Sequence, residues 1–222
     1  MLLDGPDDAR WTIVLAHGAG QGMDSPFMME FAEGLCARGS AVGGLRVVRF
    51  EFPYMQAMRL SGKRRPPDPA AKLIDAWHKT LASLARRDIT SQRLVIGGKS
   101  LGGRIASLIA DRAGVAALVC LGYPFHPPGR PTQTRTEHLR TLQTPTLICQ
   151  GTRDPFGNQA EVQSYSLSQA IRLCWLAEAD HGLKPRSGAG FTQADHFSHA
   201  MNAIIGFIRA LSPDGRDKRR GG

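Results

Sequence analysis

The chain has 222 residues, 42% of them hydrophobic and 21% charged, with a formal net charge of +9. That length supports one well-buried core and is short for two full domains, and the composition is that of a globular rather than a disordered chain. No apolar run reaches the roughly 18 residues that would span a bilayer, so no membrane partner is expected, and the N-terminus Met1-Leu2-Leu3-Asp4-Gly5 lacks the basic and apolar regions of a secretory signal.

The predicted elements alternate along the chain. Residues 12–16 form the first predicted strand, followed by a helix over 27–38 with Ser25 as N-cap and Pro26 at its first position. A second strand covers 46–52. Asp68 is expected to cap the next helix, which carries Ala71, Ile74, Trp77, Leu81 and Leu84 on one face and ends near Arg87. Strand 93–96 leads into a helix over 101–113. Strands 117–121 and 146–150, a helix over about 159–168 and strand 172–176 follow. The last helix, 195–211, repeats Phe197, Met201, Ile204, Ile205 and Ile208 on one face.

Most of these strands are continuous apolar runs, as in a sheet covered by helices on both faces. The pattern predicts an α/β fold with a mainly parallel sheet, one domain over residues 1–211, and a basic, disordered tail over 212–222. Right-handed crossovers put the C-terminal ends of the strands on one edge, where ligands bind in open α/β sheets.

The positive charge is concentrated in Lys63-Arg64-Arg65 and in the tail, both loop-like, with no helix-turn-helix, finger or RNA-binding pattern beside them. No nucleic-acid partner is expected. Cys36, Cys120, Cys149 and Cys174 have no C-x-x-C spacing and read as reduced core residues, which implies a cytoplasmic location and no metal site. No organic cofactor is implied.

The run from Arg93 to Arg104 reads as strand, glycine-rich turn and helix. Within it, Gly98-Lys99-Ser100-Leu101-Gly102 is a G-x-S-x-G nucleophile elbow, in which Ser100 stands on a sharp turn above the sheet edge. Side chains at Gly98 or Gly102 would collide with neighbouring elements. Gly98-Lys99-Ser100 also matches the end of a phosphate-binding loop, but the first glycine of that motif falls on Arg93, and Leu94, Val95 and Ile96 are strand-like. The phosphate-loop reading fails.

A serine hydroxyl needs a base, and in this architecture the chain order is serine, acid, histidine. Asp154 follows strand 146–150 and His181 follows strand 172–176, so both fall on the edge that carries Ser100. His181 is assigned as base and Asp154 as the acid that orients it. Asp180 adjoins His181 too closely in sequence to take that place. His196 and His199 lie within the last predicted helix, and His78 and His138 have no strand-end context. The oxyanion donors are assigned to the Leu101 N–H and to Ala19 or Gly20 of His17-Gly18-Ala19-Gly20-Gln21-Gly22, with His17 holding that loop.

Taken together these residues resemble the α/β-hydrolase superfamily, in its small dienelactone-hydrolase-like branch. The chain is most similar to a compact hydrolase-like family that includes the hydrolase-like domain of a histone-acetyltransferase-complex regulator. The similarity is carried by His17 to Gly20 with Met23 to Met28, Phe50 to Met55, Gly97 to Arg104, Leu121 to Gly129 and Gly151 to Gly157. It implies an eight-strand-type fold trimmed at its N-terminus. Dienelactone hydrolases proper carry cysteine where this chain has Ser100, so their substrate does not carry over.

The connection from Tyr123 to Thr144 holds four prolines and one short helical stretch, 135–142, which is no lid domain. A shallow site is expected, lined by Tyr54, Tyr123, Phe125, His126 and Phe156, with 183–194 covering one side. Lys99 is counted among the substrate-facing residues as a candidate anion site, although a structural contact to Glu51 is the favoured reading. The expected function is hydrolysis of a small ester or thioester through an acyl-enzyme. The alternative is an idle hydrolase fold used as a protein-interaction module.

Overall fold

The computed structural model describes residues 1–87, 89 and 91–211, and the basic tail expected over 212–222 lies outside them. Seven strands form one sheet: β1 (Leu2–Asp4), β2 (Trp11–Ala16), β3 (Leu45–Phe50), β4 (Leu94–Lys99), β5 (Ala117–Leu121), β6 (Thr146–Gly151) and β7 (Ile171–Leu176). Their order is β1-β3-β2-β4-β5-β6-β7. All neighbours are parallel except β1, which runs antiparallel to β3 with Leu3 opposite Val48. This is an α/β-hydrolase fold.

The strand interiors are apolar on both sides because both sides are covered. Ile13 and Leu15 of β2 face one cluster, together with Val47, Val95, Val119 and Leu147. That cluster is closed by α1 (Pro26–Ala37) through Met28, Phe31 and Leu35, and by α7 (Gln193–Leu211) through Phe197, Met201, Ile204 and Ile208. Val14 and Ala16 face the other way, towards Ile96, Leu118 and Ile148. There α3 (Ala70–Ala85) and α4 (Leu101–Ser107) supply Leu73, Trp77, Leu84, Ile105 and Ala106. The alternation along β2 is the period-2 geometry of a strand.

Several boundaries differ from the sequence expectation, each for a local reason. β1 has no counterpart among the predicted strands, since three partly exposed residues offer no alternation to read. β3 ends at Phe50 rather than at 52, because Pro53 opens α2 (Pro53–Ser61) with Phe52 as its N-cap. Asp68 does not cap α3; Pro69 occupies that position, and Asp68 pairs with Lys72 at 2.9 Å. The predicted helix over 101–113 is broken into α4 and α5 (Ala110–Ala113). At the break, Ser107 Oγ bonds back to the Arg104 carbonyl, and the Leu108 and Ile109 N–H groups reach carbonyls only three residues back. The helix after β6 is a short α6 (Gln159–Gln163), started by a capping box between Asn158 and Glu161. The stretch 135–142 holds only a 3₁₀ turn, Glu137–Arg140.

All four cysteines are free thiols; Cys120 and Cys149 are buried, whereas Cys36 and Cys174 are only half-buried. No helix among the described residues is long and apolar enough to cross a membrane.

Ile204 is wholly buried between α7 and the sheet. Ile204→Ala is therefore expected to cost about 2–5 kcal/mol of folding stability, read as a lowered denaturation midpoint with the m-value unchanged.

Candidate active site

Between β4 and α4 the chain turns in very little space. A Cβ on Gly98 would lie 2.1 Å from the Ala16 carbonyl oxygen, and one on Gly102 would lie 2.2 Å from the same atom. Only glycine lets the incoming strand and the outgoing helix press this closely on the end of β2. The turn forces Ser100 to φ 49°, ψ −112°, a conformation that costs an L-residue of order 1–3 kcal/mol. Its side chain is thereby lifted to the C-terminal edge of the sheet, at the start of α4.

Asp154 and His181 reach the same point from β6 and from the turn beyond β7. Ser100 Oγ lies 2.8 Å from His181 Nε2, and His181 Nδ1 lies 2.7 Å from Asp154 Oδ2. The carboxylate is fully buried. It also accepts from the Phe156 N–H at 2.8 Å and from the Gln150 side-chain amide at 2.9 Å. With Asp154 accepting at Nδ1, the imidazole carries its proton there and leaves Nε2 as an acceptor for the Ser100 hydroxyl. Burial is the main effect on His181 and lowers its pKa; Asp154 opposes this and the nearby Lys99 cation adds to it. The ring is thus held neutral and able to take a proton.

The loop after β2 is anchored from beneath. His17 is buried, with Nδ1 donating to the Gly18 carbonyl at 2.7 Å and Nε2 accepting from the Phe52 N–H at 3.0 Å. The Tyr54 hydroxyl lies 3.2 Å from both the Gly18 and the Ala19 carbonyl oxygens and shares its hydrogen between them. Because these peptides are trans, the N–H groups of Ala19 and Gly20 point away from Tyr54. Ala19, Gly20 and Ser100 all line one cleft of about 560 Å³, whose other walls include Pro26, Phe27, Met28, Phe156 and Phe197. Leu101 stands at the first position of α4, where the N–H groups lack helical partners.

Phe156 reaches the cleft, its ring 4.2 Å from that of His181. Lys99, the other expected substrate-facing residue, also borders the cleft, whereas Tyr54, Tyr123, Phe125 and His126 do not. Tyr54 is 2% exposed, Tyr123 and Phe125 0%, and His126 2%. Each has a structural contact instead. Tyr54 holds the loop after β2, and the Tyr123 hydroxyl donates to the Arg135 carbonyl. Phe125 packs where Gly157 has no side chain, and His126 bonds Pro127 and meets Glu161. The expected contact of Lys99 with Glu51 is also absent: Glu51 pairs with Arg59 at 2.7 Å, while Lys99 Nζ donates to the His181 backbone carbonyl. Of residues 183–194, Gln193 alone lines the cleft.

Sequence reasoning missed Gln150. Its amide donates to Asp154, to the Tyr123 carbonyl and to the Gly157 carbonyl, while its Oε1 accepts from the Tyr123 N–H at 2.7 Å. The one signal for it was a glutamine closing an apolar strand four residues before Asp154. No group of three or more potential metal ligands occurs among the described residues.

The order of strands, the elbow and the hydrogen-bonded row from Ser100 to Asp154 are those of the α/β-hydrolase class. The alpha/beta hydrolase domain family matches residues 9–209, and the chain belongs to that family. Solved structures agree on the fold. An α/β serine hydrolase homologue from Coxiella burnetii is 17% identical, with 95% of this chain and 90% of that one covered and a TM-score of 0.65. A lidless α/β serine hydrolase from Xanthomonas campestris is 18% identical, over 94% and 85% of the two chains, at a TM-score of 0.62. A dienelactone hydrolase from Anabaena variabilis is 21% identical, over 94% and 90%, at 0.59.

In an NMR titration of the folded protein, the His181 ring is expected to protonate below its ordinary pKa of 6.5. The sign follows from burial, which disfavours the cation; a value above 6.5 would mean that the Asp154 carboxylate outweighs burial at this ring.

Proposed function

We propose that this chain is a serine hydrolase that cleaves small carboxylic esters or thioesters through an acyl-enzyme. The observation that carries the reading is the continuous row Ser100 Oγ, His181 Nε2, His181 Nδ1, Asp154 Oδ2, with contacts of 2.8 and 2.7 Å. In the first step Ser100 Oγ attacks the acyl carbon as its proton passes to His181 Nε2, and Asp154 stabilises the imidazolium. The carbonyl oxygen becomes an oxyanion held by the Leu101 N–H and by the N–H of Ala19 or Gly20. On collapse, His181 returns the proton to the leaving alkoxide or thiolate. A water molecule then attacks the acyl-enzyme by the same route, with His181 again as base.

The cleft supports a neutral acyl group. Its walls are mostly apolar, Glu30 contributes a carboxylate to the same lining, and the Lys99 ammonium is engaged by the His181 carbonyl. Residues 1–211 are taken as one hydrolase domain. Four free thiols suit a reducing compartment, so a cytoplasmic site of action belongs to the same proposal. The similarity to the dienelactone-hydrolase-like branch, and to the family of the histone-acetyltransferase-complex regulator, is compatible with this chemistry without specifying a substrate.

A fluorophosphonate probe is expected to label the wild-type protein and not Ser100→Ala. His181→Ala should lower kcat on short aryl esters by about 10⁴-fold or more. Absence of Ser100-dependent labelling, with a control hydrolase reacting alongside, would favour the protein-interaction reading. Neutral aryl esters should also have higher kcat/KM than esters with an acyl-chain carboxylate; the reverse order contradicts the neutral acyl site.

A further inference from the structure

Lys99 stands in the elbow itself, between Gly98 and Ser100, and it borders the same cleft as the nucleophile. It leaves the end of β4 where Lys99 is in register with Leu121 of β5. Its stem passes Gly18, where a Cβ would come within 3.5 Å of Lys99 Cγ. The ammonium lies 5.4 Å from the centre of the Phe27 ring and donates to the backbone carbonyl of His181. Gly122 makes room for that contact. A Cβ there would stand 2.8 Å from Lys99 Nζ and 3.0 Å from the His181 oxygen, and φ at Gly122 is +66°. One side chain thus ties the strand that presents the nucleophile to the turn that presents the base.

The turn carrying His181 is also fastened through the ring, by Asp154, and at its flanks, where the Asp180 N–H donates to the Lys184 carbonyl and the Leu183 N–H to the Asp180 carbonyl. Asp180 accepts from the N–H groups of Gly182 and Lys184 at 2.8 and 3.0 Å, and the Gln193 amide donates to the Gly182 carbonyl at 3.2 Å. The His181 carbonyl is satisfied by Lys99. No carboxylate of the described residues forms an ion pair with this ammonium; Asp154 and Asp180 act on it from farther off, and its charge in turn acts on the imidazole.

We infer that Lys99 is a positioning residue for the proposed Ser100 chemistry: its ammonium fixes the height of the His181 turn and keeps a positive charge beside the imidazole. The inference rests on the hydrolase reading for its kinetic consequence, but its structural content does not. The groups facing His181 are Asp154, Lys99 and Asp180, with Ser100 at Nε2; those facing Lys99 are Asp154 and Asp180. Burial lowers the Lys99 pKa to about 8, the two carboxylates opposing the shift. The ammonium is therefore charged through neutral pH and loses its proton in mildly alkaline solution.

Three variants separate the hydrogen bond from the charge. Lys99→Met removes both, Lys99→Gln keeps an N–H donor without charge, and Lys99→Arg keeps both. The first readout is the NMR titration of His181, which needs no turnover. Lys99→Met and Lys99→Gln should move the His181 pKa upward, because a neighbouring cation that disfavoured imidazolium is gone, and Lys99→Arg should leave it near the wild-type value.

The second readout is the pH profile on neutral aryl esters. Lys99→Met should lower kcat by about ten- to a hundredfold with little change in KM, since small misplacements of a reacting group are costly. Its acid limb should move to higher pH. Lys99→Gln should recover part of kcat without recovering the limb. An unmoved His181 titration in both uncharged variants overturns the inference, as does a loss of kcat identical at every pH. A KM effect confined to esters carrying a carboxylate also overturns it and makes Lys99 an anion site. Failure of the hydrolase reading shows separately, as absence of Ser100-dependent labelling in the wild type. Should Lys99→Met not fold, Lys99→Gln carries the same two tests.

Discussion

The site depends on how closely three backbones approach at one spot. The end of β2, the last turn of β4 and the first turn of α4 meet around the Ala16 carbonyl, at distances that leave no room for a Cβ at Gly98 or Gly102. That crowding reverses the chain within a few residues and holds Ser100 at positive φ. It also brings the loop after β2 against the same turn, so that Ala19 and Gly20 border the cleft that Ser100 enters. Strain of this size persists only when the surroundings over-determine it. Both faces of the sheet do so, with Ile96 packed on one side and Val95 on the other.

The rest of the site is a matter of buried polarity. Asp154 has no contact with solvent, so its charge is tolerable only because three donors converge on it. Gln150 is one of them, and its remaining hydrogen bonds go to Tyr123 and Gly157. The acid is thereby held to the backbones after β5 and β6 at once, and the imidazole inherits that fixed direction. Such networks are strong when every member is satisfied and fragile when one is removed.

Much of this was legible in the sequence because it follows from local rules. Alternating apolar runs and helical faces point to the parallel core, and the strand–turn–helix context of Ser100 points to the elbow. Asp154 and His181 follow from their places just beyond strands, and the structure brings both to Ser100. What escaped depended on the direction of side chains across the fold. Tyr54, Tyr123, Phe125 and His126 lie in segments near the right edge of the sheet, yet all four turn inward, and no spacing rule distinguishes inward from cleft-facing at the end of a strand. Phe156 sits in an equally loop-like segment but is aimed outward by the turn that Asp154 closes. Lys99 went to a partner 82 positions along the chain, a backbone carbonyl that leaves no trace in composition.

The wall of the cleft formed by Phe27 and Phe197 has a consequence for biosynthesis. Phe27 and Phe31 stack, and Phe197 meets both at steeper angles with all ring centres within about 5 Å, joining α1 near the start of the described chain to α7 near its end. On the ribosome, the side of α1 that packs against α7 therefore stays uncovered until α7 has been made, while β2 and β3 are already at hand for its other side. Contacts so distant in sequence form late, and an apolar surface left open meanwhile is where other nascent chains and chaperones can attach. A chain that has not yet reached α7 holds Ser100, Asp154 and His181 but still lacks the Phe197 wall of the cleft.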